Sequence, residues 1–91
     1  MKFKVEKSFE RDTNGIKDKK LLQKLKACIT KLEKADNITG MPHIKKIEGF
    51  NSFYRIKIGD YRIGIELTPN NEVILSRFLH RKDIYRYFPR R

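Results

Sequence analysis

The stretch "FYRIKIGDYRIGIEL", residues 53 to 67, constrains the fold more than any other part of the chain. Two alternating runs meet at Gly59-Asp60, a two-residue connection that favours positive φ and closes a β-hairpin. Side chains alternate across a strand, so Tyr54, Ile56 and Ile58 share one face with Tyr61, Ile63, Ile65 and Leu67. Phe53, Arg55 and Lys57 then share the other with Arg62, Gly64 and Glu66. A lone hairpin is marginal in water, so something must cover the apolar face. The cover is predicted in "IKDKKLLQKLKACITKLEKA", where Leu21, Leu22, Leu25, Ile29 and Leu32 recur at helical spacing behind Asp18 as N-cap.

The remaining segments fill in around that pair. "KFKVEKS" alternates as a short half-buried strand carrying Phe3 and Val5, and Ser8 is placed to cap a helical turn that "DTNG" at 12 to 15 breaks. "DNITGMPH" reads as loop and "HIKKIEG" as a short strand. "EVILSRFL" is apolar on both faces, which points to an internal strand. "RKDIYRYF" forms a short terminal helix stopped at Pro89, with Ile84 and Phe88 as its packing pair. Ninety-one residues allow a single domain, 1–91, with a simple core. The expected fold is α+β: a small antiparallel-rich sheet of about four strands, N-terminal helices packed on one face, and a short C-terminal helix.

Twenty-two Lys and Arg against eleven Asp and Glu leave a formal charge of +11. A domain this basic calls for a polyanion, an anionic surface or an acidic protein partner. No run reaches the roughly 20 apolar residues of a spanning helix, and the first residues lack a secretory h-region, so a cytoplasmic protein without membrane contact is expected. The single cysteine, Cys28, falls among Leu25, Ile29 and Leu32 and reads as a small core residue.

Strand phase also sorts the last strand. Ile74, Ser76 and Phe78 fall on one side; Val73, Leu75, Arg77, Leu79 and Arg81 on the other. With Ile74 and Phe78 turned to the helices, Arg77 and Arg81 join Arg55, Lys57 and Arg62 on a face floored by Val73, Leu75 and Leu79. Arginine's planar fork matches phosphate oxygens, so a phosphodiester suits this face. A solubilising edge and, for Arg77, an ion pair with Glu66 are the alternative accounts.

RNA cleavage by attack of a ribose 2′-OH on its neighbouring phosphate needs a base, an acid and positive charge on the developing phosphorane. No cofactor is required. Two isolated histidines without a cysteine or carboxylate cluster give no expectation of a metal site. Arg62 and Arg81 are the stabiliser candidates. Lys57, Tyr85, Tyr87, His80 and, more remotely, Glu48 are the proton-transfer candidates. His80 has the phase of Phe78 and so lies off the cationic face. The final "PRR" reads as a basic end that adds attraction to RNA.

"YRIKIGDYRIGIEL" followed by "EVILSRFLHRKDIYRYF" resembles the RelE/ParE superfamily of toxins from toxin–antitoxin systems, and the RelE branch in particular. The similarity runs over nearly the whole chain. It implies a ribosome-dependent endoribonuclease that cuts mRNA in the ribosomal A site without metal, with ribosomal RNA contacts, and that is neutralised by a cognate antitoxin, here expected to be acidic. Matched motif to motif, it places the working residues on Arg55, Lys57, Arg62, Arg81 and Tyr85. Arg62, Arg81, Tyr85 and Lys57 are the expected catalytic residues, and Arg55, Lys57, Arg77, Lys82 and Tyr87 are expected to bind RNA. The general base stays open between Lys57, Tyr85 and Tyr87, since Arg55 cannot readily give up its proton. The alternatives are a ParE-type toxin acting on DNA gyrase, which would favour a longer N-terminal helical hairpin, and a basic module that only binds nucleic acid.

Overall fold

The computed structural model describes residues 1–89; Arg90 and Arg91, and with them most of the basic end, lie outside the described residues. The chain runs β1 (Phe3–Val5), α1 (Lys7–Asn14), α2 (Lys19–Lys34), a 3-10 turn (Ile38–Gly40), β2 (Ile44–Lys46), β3 (Phe53–Ile58), β4 (Tyr61–Leu67), β5 (Val73–His80) and α3 (Ile84–Tyr87). The α+β class holds, with five strands in the order β1-β5-β4-β3-β2 where about four were expected. All pairings are antiparallel except β1 with β5. The hairpin turns at Gly59 with φ of 57°, as the two-residue connection requires.

α2 begins where Asp18 accepts hydrogen bonds from the backbone of Lys20 and Leu21. Its stripe lies on the sheet: Leu25 and Leu32 are buried with Phe9, Ile56, Ile58, Ile63, Ile65 and Phe78 in one core. Ser8 is not the cap of α1, which starts one residue earlier and runs through Asn14. Its hydroxyl has another task. β1 pairs with β5 only as far as Leu75, where Glu6 N donates to Leu75 O at 3.0 Å. Beyond that point α1 side chains take the place of a strand: Ser8 Oγ donates to Ser76 O at 2.6 Å, and Phe78 N donates to Asp12 Oδ2 at 2.9 Å. The open edge of β5 is thereby closed.

One expectation of strand phase is corrected. Gly64 pairs with Arg77 and Ile65 with Leu75, so Ser76 is an extra residue in β5, a β-bulge. It flips the phase below it. Val73 and Leu75 point into the main core, wholly buried, and Ile74 takes the opposite face beside Glu66. Arg77, Leu79 and Arg81 lie above the bulge and keep the predicted side.

A smaller core forms on that side. Ile84 and Phe88 of the C-terminal segment are buried with Ile47 against Phe50, Phe53 and Leu79. Phe88 lies flat against Gly64, where a Cβ would come within 2.6 Å of its ring. Gly64→Ala is therefore expected to push the ring out and cost about 2 kcal/mol, in the range for overpacked cores. Urea unfolding and faster proteolysis after residue 80 are the readouts.

Candidate active site

The register across the sheet arranges the cations. Lys45 of β2 is directly opposite Arg55 of β3, and Lys57 is directly opposite Arg62 of β4. Opposed residues have Cβ atoms about 5 Å apart, and like charges there destabilise a sheet. Two such pairs stand next to each other on one face. Backbone carbonyls, not carboxylates, hold both guanidinium groups: Arg55 Nη1 donates to His43 O at 3.2 Å, and Arg62 Nη1 donates to Gly59 O and Tyr61 O, each at 3.0 Å. The carbonyls fix the forks, and among the described residues neither guanidinium has a carboxylate within ion-pair distance.

Arg81 follows β5 on the same phase. Its backbone N donates to Asp60 O at 2.7 Å, and its Nε lies 3.8 Å from the Asp60 carboxylate, with both side chains mostly in solvent. A contact of this kind leaves Arg81 available to a ligand. α3 begins only at Ile84 and not at Arg81 as "RKDIYRYF" suggested, so Arg81 sits in the turn before the helix that carries Tyr85. With Ile84 and Phe88 anchored, Tyr85 is turned outward and is 59% exposed. Its ring closes a groove of about 370 Å³ with Lys45, Lys46, Ile47, Glu48 and Arg55. Glu48, a loose candidate from sequence, is the acidic group of that groove.

Arg77 departs from the expected arrangement. Its Nε and Nη2 donate to the two carboxylate oxygens of Asp12, at 2.8 and 3.1 Å, and its guanidinium lies 5.3 Å from the centre of the Tyr87 ring. The hydrogen bond to Asp12 raises its pKa against the opposing effect of burial. The partner is Asp12 rather than Glu66, and the fork is filled. Across the sheet Arg55, Gly64 and Arg77 lie in one row, with Phe88 on Gly64, so Arg77 is separated from the other four cations by an aromatic wall.

The other candidates are dispersed. Lys57, opposite Arg62, is exposed where β2 gives way to His43, whose carbonyl accepts its backbone N–H at 3.2 Å. Lys82 is exposed in the turn after β5, and its N donates to His80 Nδ1 at 3.2 Å. The His80 ring packs edge-on to Tyr61, 5.5 Å away, on the helix side. Tyr87 is 46% exposed. Cys28 packs half-buried against the main core, and burial raises its thiol pKa while Lys31 partly opposes the shift. It is therefore a thiol at neutral pH, and slow reaction with iodoacetamide, by mass spectrometry on the folded protein, is the expected result. Among the described residues no three His, Cys, Asp or Glu side chains gather as a metal site would require.

Two residues of the arrangement were missed. Lys45 could have been found, because the alternation of "HIKKIEG" already separates it from Ile44. Asp12 could not, because nothing local links it to a strand 65 residues away.

A five-stranded sheet with α2 on one face, α1 along the β5 edge, and a cluster of cations with an exposed tyrosine on the other face defines a small basic α+β protein. The chain belongs to the family of the ParE toxin of type II toxin–antitoxin systems, parDE, whose profile it matches over residues 3–85. Within the RelE/ParE superfamily it is a RelE-branch toxin. It is 37% identical to Toxin RelE3 of Methanocaldococcus jannaschii over 90 residues, covering 98% of this chain and all of that one. Its fold matches the RelB–RelE antitoxin–toxin complex from Methanococcus jannaschii with a TM-score of 0.79 at 35% identity, over 93% of this chain and 98% of that one. A copper-bound mutant toxin from Helicobacter pylori shares the fold alone, with a TM-score of 0.57 at 24% identity over 92% of this chain and 98% of that one.

Proposed function

We propose that this toxin is an mRNA endoribonuclease that acts on the ribosome and stops translation in the cytoplasm. The observation that carries the reading is two pairs of directly opposed cations, Lys45–Arg55 and Lys57–Arg62, whose arginines are held by carbonyls and which, among the described residues, have no carboxylate ion pair. Such a face is unfavourable until an anion joins it, and a phosphodiester supplies the anion.

In this reading Arg55, Lys45 and Lys46 hold the backbone of the RNA. Lys57 or Tyr85 takes the proton from the 2′-OH, whose oxygen then bonds to the adjacent phosphorus; Tyr87, the third candidate from sequence, lies with Arg77 across the aromatic wall. Arg62 and Arg81 stabilise the charge that builds on the phosphorane oxygens. The bond from phosphorus to the 5′-oxygen breaks, and that oxygen receives a proton. The products are a 2′,3′-cyclic phosphate and a 5′-hydroxyl, and no outside reactant is needed. Lys82 adds charge beside the path. Arg77, held by Asp12, positions Tyr87 rather than phosphate.

The similarity to Toxin RelE3 supports a RelE-type toxin, and the ribosome as the place of action is what the resemblance to RelE toxins implies. The RelB–RelE complex supports a cognate antitoxin as partner. Its toxin-binding segment is expected to be acidic and amphipathic, given the +11 charge, so the complex should weaken with salt. Binding measured between 0.1 and 0.5 M salt checks this; an antitoxin segment that is itself basic would count against it.

The name of the matched family favours a second reading, a ParE-type toxin that binds DNA gyrase. Primer extension on cellular mRNA after induction separates the two. Discrete cuts inside coding regions are expected; growth arrest with double-strand DNA breaks and intact mRNA would favour the gyrase reading.

A further inference from the structure

Behind the aromatic wall, on the side away from Arg55, α1 and α3 enclose a second groove of about 340 Å³ over β3, β4 and β5. The volume is in the range of small-ligand pockets. Its floor carries Glu66, half-buried, with Phe53 and Ile74 as its cross-strand neighbours. With Arg77 committed to Asp12, the Glu66 carboxylate has no hydrogen-bond or ion-pair partner among the described residues, and the groove's other carboxylate, Glu6, is exposed. Phe53 and Phe88 form one wall, edge to face at 5.5 Å. Tyr87 forms the other; one side of its ring rests on the Arg77 guanidinium and the rest is open to solvent. Arg11 stands exposed at the rim.

We infer that this groove is a nucleobase subsite and that Glu66 makes it select guanine. The inference rests on the RNA reading above and adds a sequence preference to it. Unstacked RNA bases are held by aromatic faces and read on their Watson–Crick edges. Tyr87, steadied from behind by Arg77, offers the face. A carboxylate only accepts, and its two oxygens match two donors side by side. Guanine presents such a pair, N1–H and the N2 amino group. Adenine sets an acceptor against the carboxylate, uracil flanks its single N–H with two carbonyls, and cytosine offers one amino group beside an acceptor. Glu66 and Arg62 lie four residues apart on β4, about 13 Å, so the base read belongs to a nucleotide close to the one cut. Arg11 then meets the phosphate beyond it.

The test uses the full-length toxin with GMP, IMP and AMP, which carry the same charge and share any nonspecific attraction to the basic surface. Binding is followed by NMR of the aromatic ring protons. GMP should shift Tyr87 and Phe53 and bind at least tenfold more tightly than AMP, within the span a bidentate base contact supplies. IMP, lacking the N2 amino group, should fall between. Glu66→Gln, which preserves shape but sets one donor and one acceptor against the base, should abolish the GMP advantage and bind AMP at least as well as the wild type does. Equal binding of GMP and AMP, or shifts confined to the surroundings of Lys57 and Arg62, would overturn the inference. So would shifts at Tyr87 produced by an arginine-containing peptide but not by GMP, which would give the groove to a protein partner. No ribosome or cleavage enters this measurement, so its failure and the failure of the nuclease reading are read separately.

Discussion

Arg62→Ala is expected to lower the rate of mRNA cleavage by about 10²- to 10³-fold, the usual effect of removing one donor that faces developing negative charge. Growth inhibition should disappear with it, and Arg81→Ala should behave alike. The reason is positional. Arg62 stands opposite Lys57, its fork fixed by the carbonyls of Gly59 and Tyr61, so its charge is set before RNA arrives. Neither arginine belongs to the buried core, so both variants should keep the wild-type unfolding curve and still bind antitoxin. Arg62→Lys retains the charge and loses the planar fork, and should recover only part of the rate. Single-turnover cleavage on programmed ribosomes gives the numbers. Full toxicity of both alanine variants would show that the chemistry lies elsewhere.

Asp12→Ala should produce the largest loss of stability. The carboxylate accepts both Arg77 bonds and the Phe78 N–H, and its side chain is only 10% exposed against 22% for Arg77. Removal strands a partly buried guanidinium and reopens the β5 edge. A loss of about 3 kcal/mol is expected, at the low end for a broken buried pair because Arg77 retains some solvent. In a domain of this size that is about 15 °C in Tm. Asp12→Asn keeps the backbone hydrogen bond and should lose less. Asp12→Ala combined with Arg77→Met removes the stranded charge and should regain much of the difference, a coupling that a double-mutant cycle in urea measures.

These expectations also mark how far local sequence reaches. The hairpin faces were legible because a two-residue turn sets the register, so Lys57 opposite Arg62 follows from Gly59-Asp60. Arg81 was legible because it lies on the hairpin side of the bulge. Val73 and Leu75 were misplaced because the extra residue is Ser76, which carries no glycine signal for a bulge. The same residue type was misread at Ser8, whose hydroxyl serves a distant strand rather than its own helix. Arg77 was set among phosphate ligands because its partner comes from α1, and pairing across 65 residues leaves no pattern in either segment. Gly64 looked like an ordinary strand position until Phe88 was seen to occupy the place of its side chain.

The most direct test of the nuclease reading is a ribosome-bound mRNA with a single 2′-deoxynucleotide placed at the mapped cut. Unmodified mRNA should yield a 2′,3′-cyclic phosphate and a 5′-hydroxyl, and the deoxy substitution should abolish the cut at that position. A cut that persists there, or a product with a 5′-phosphate, would contradict attack by the 2′-OH and with it the roles given to Lys57, Arg62 and Arg81.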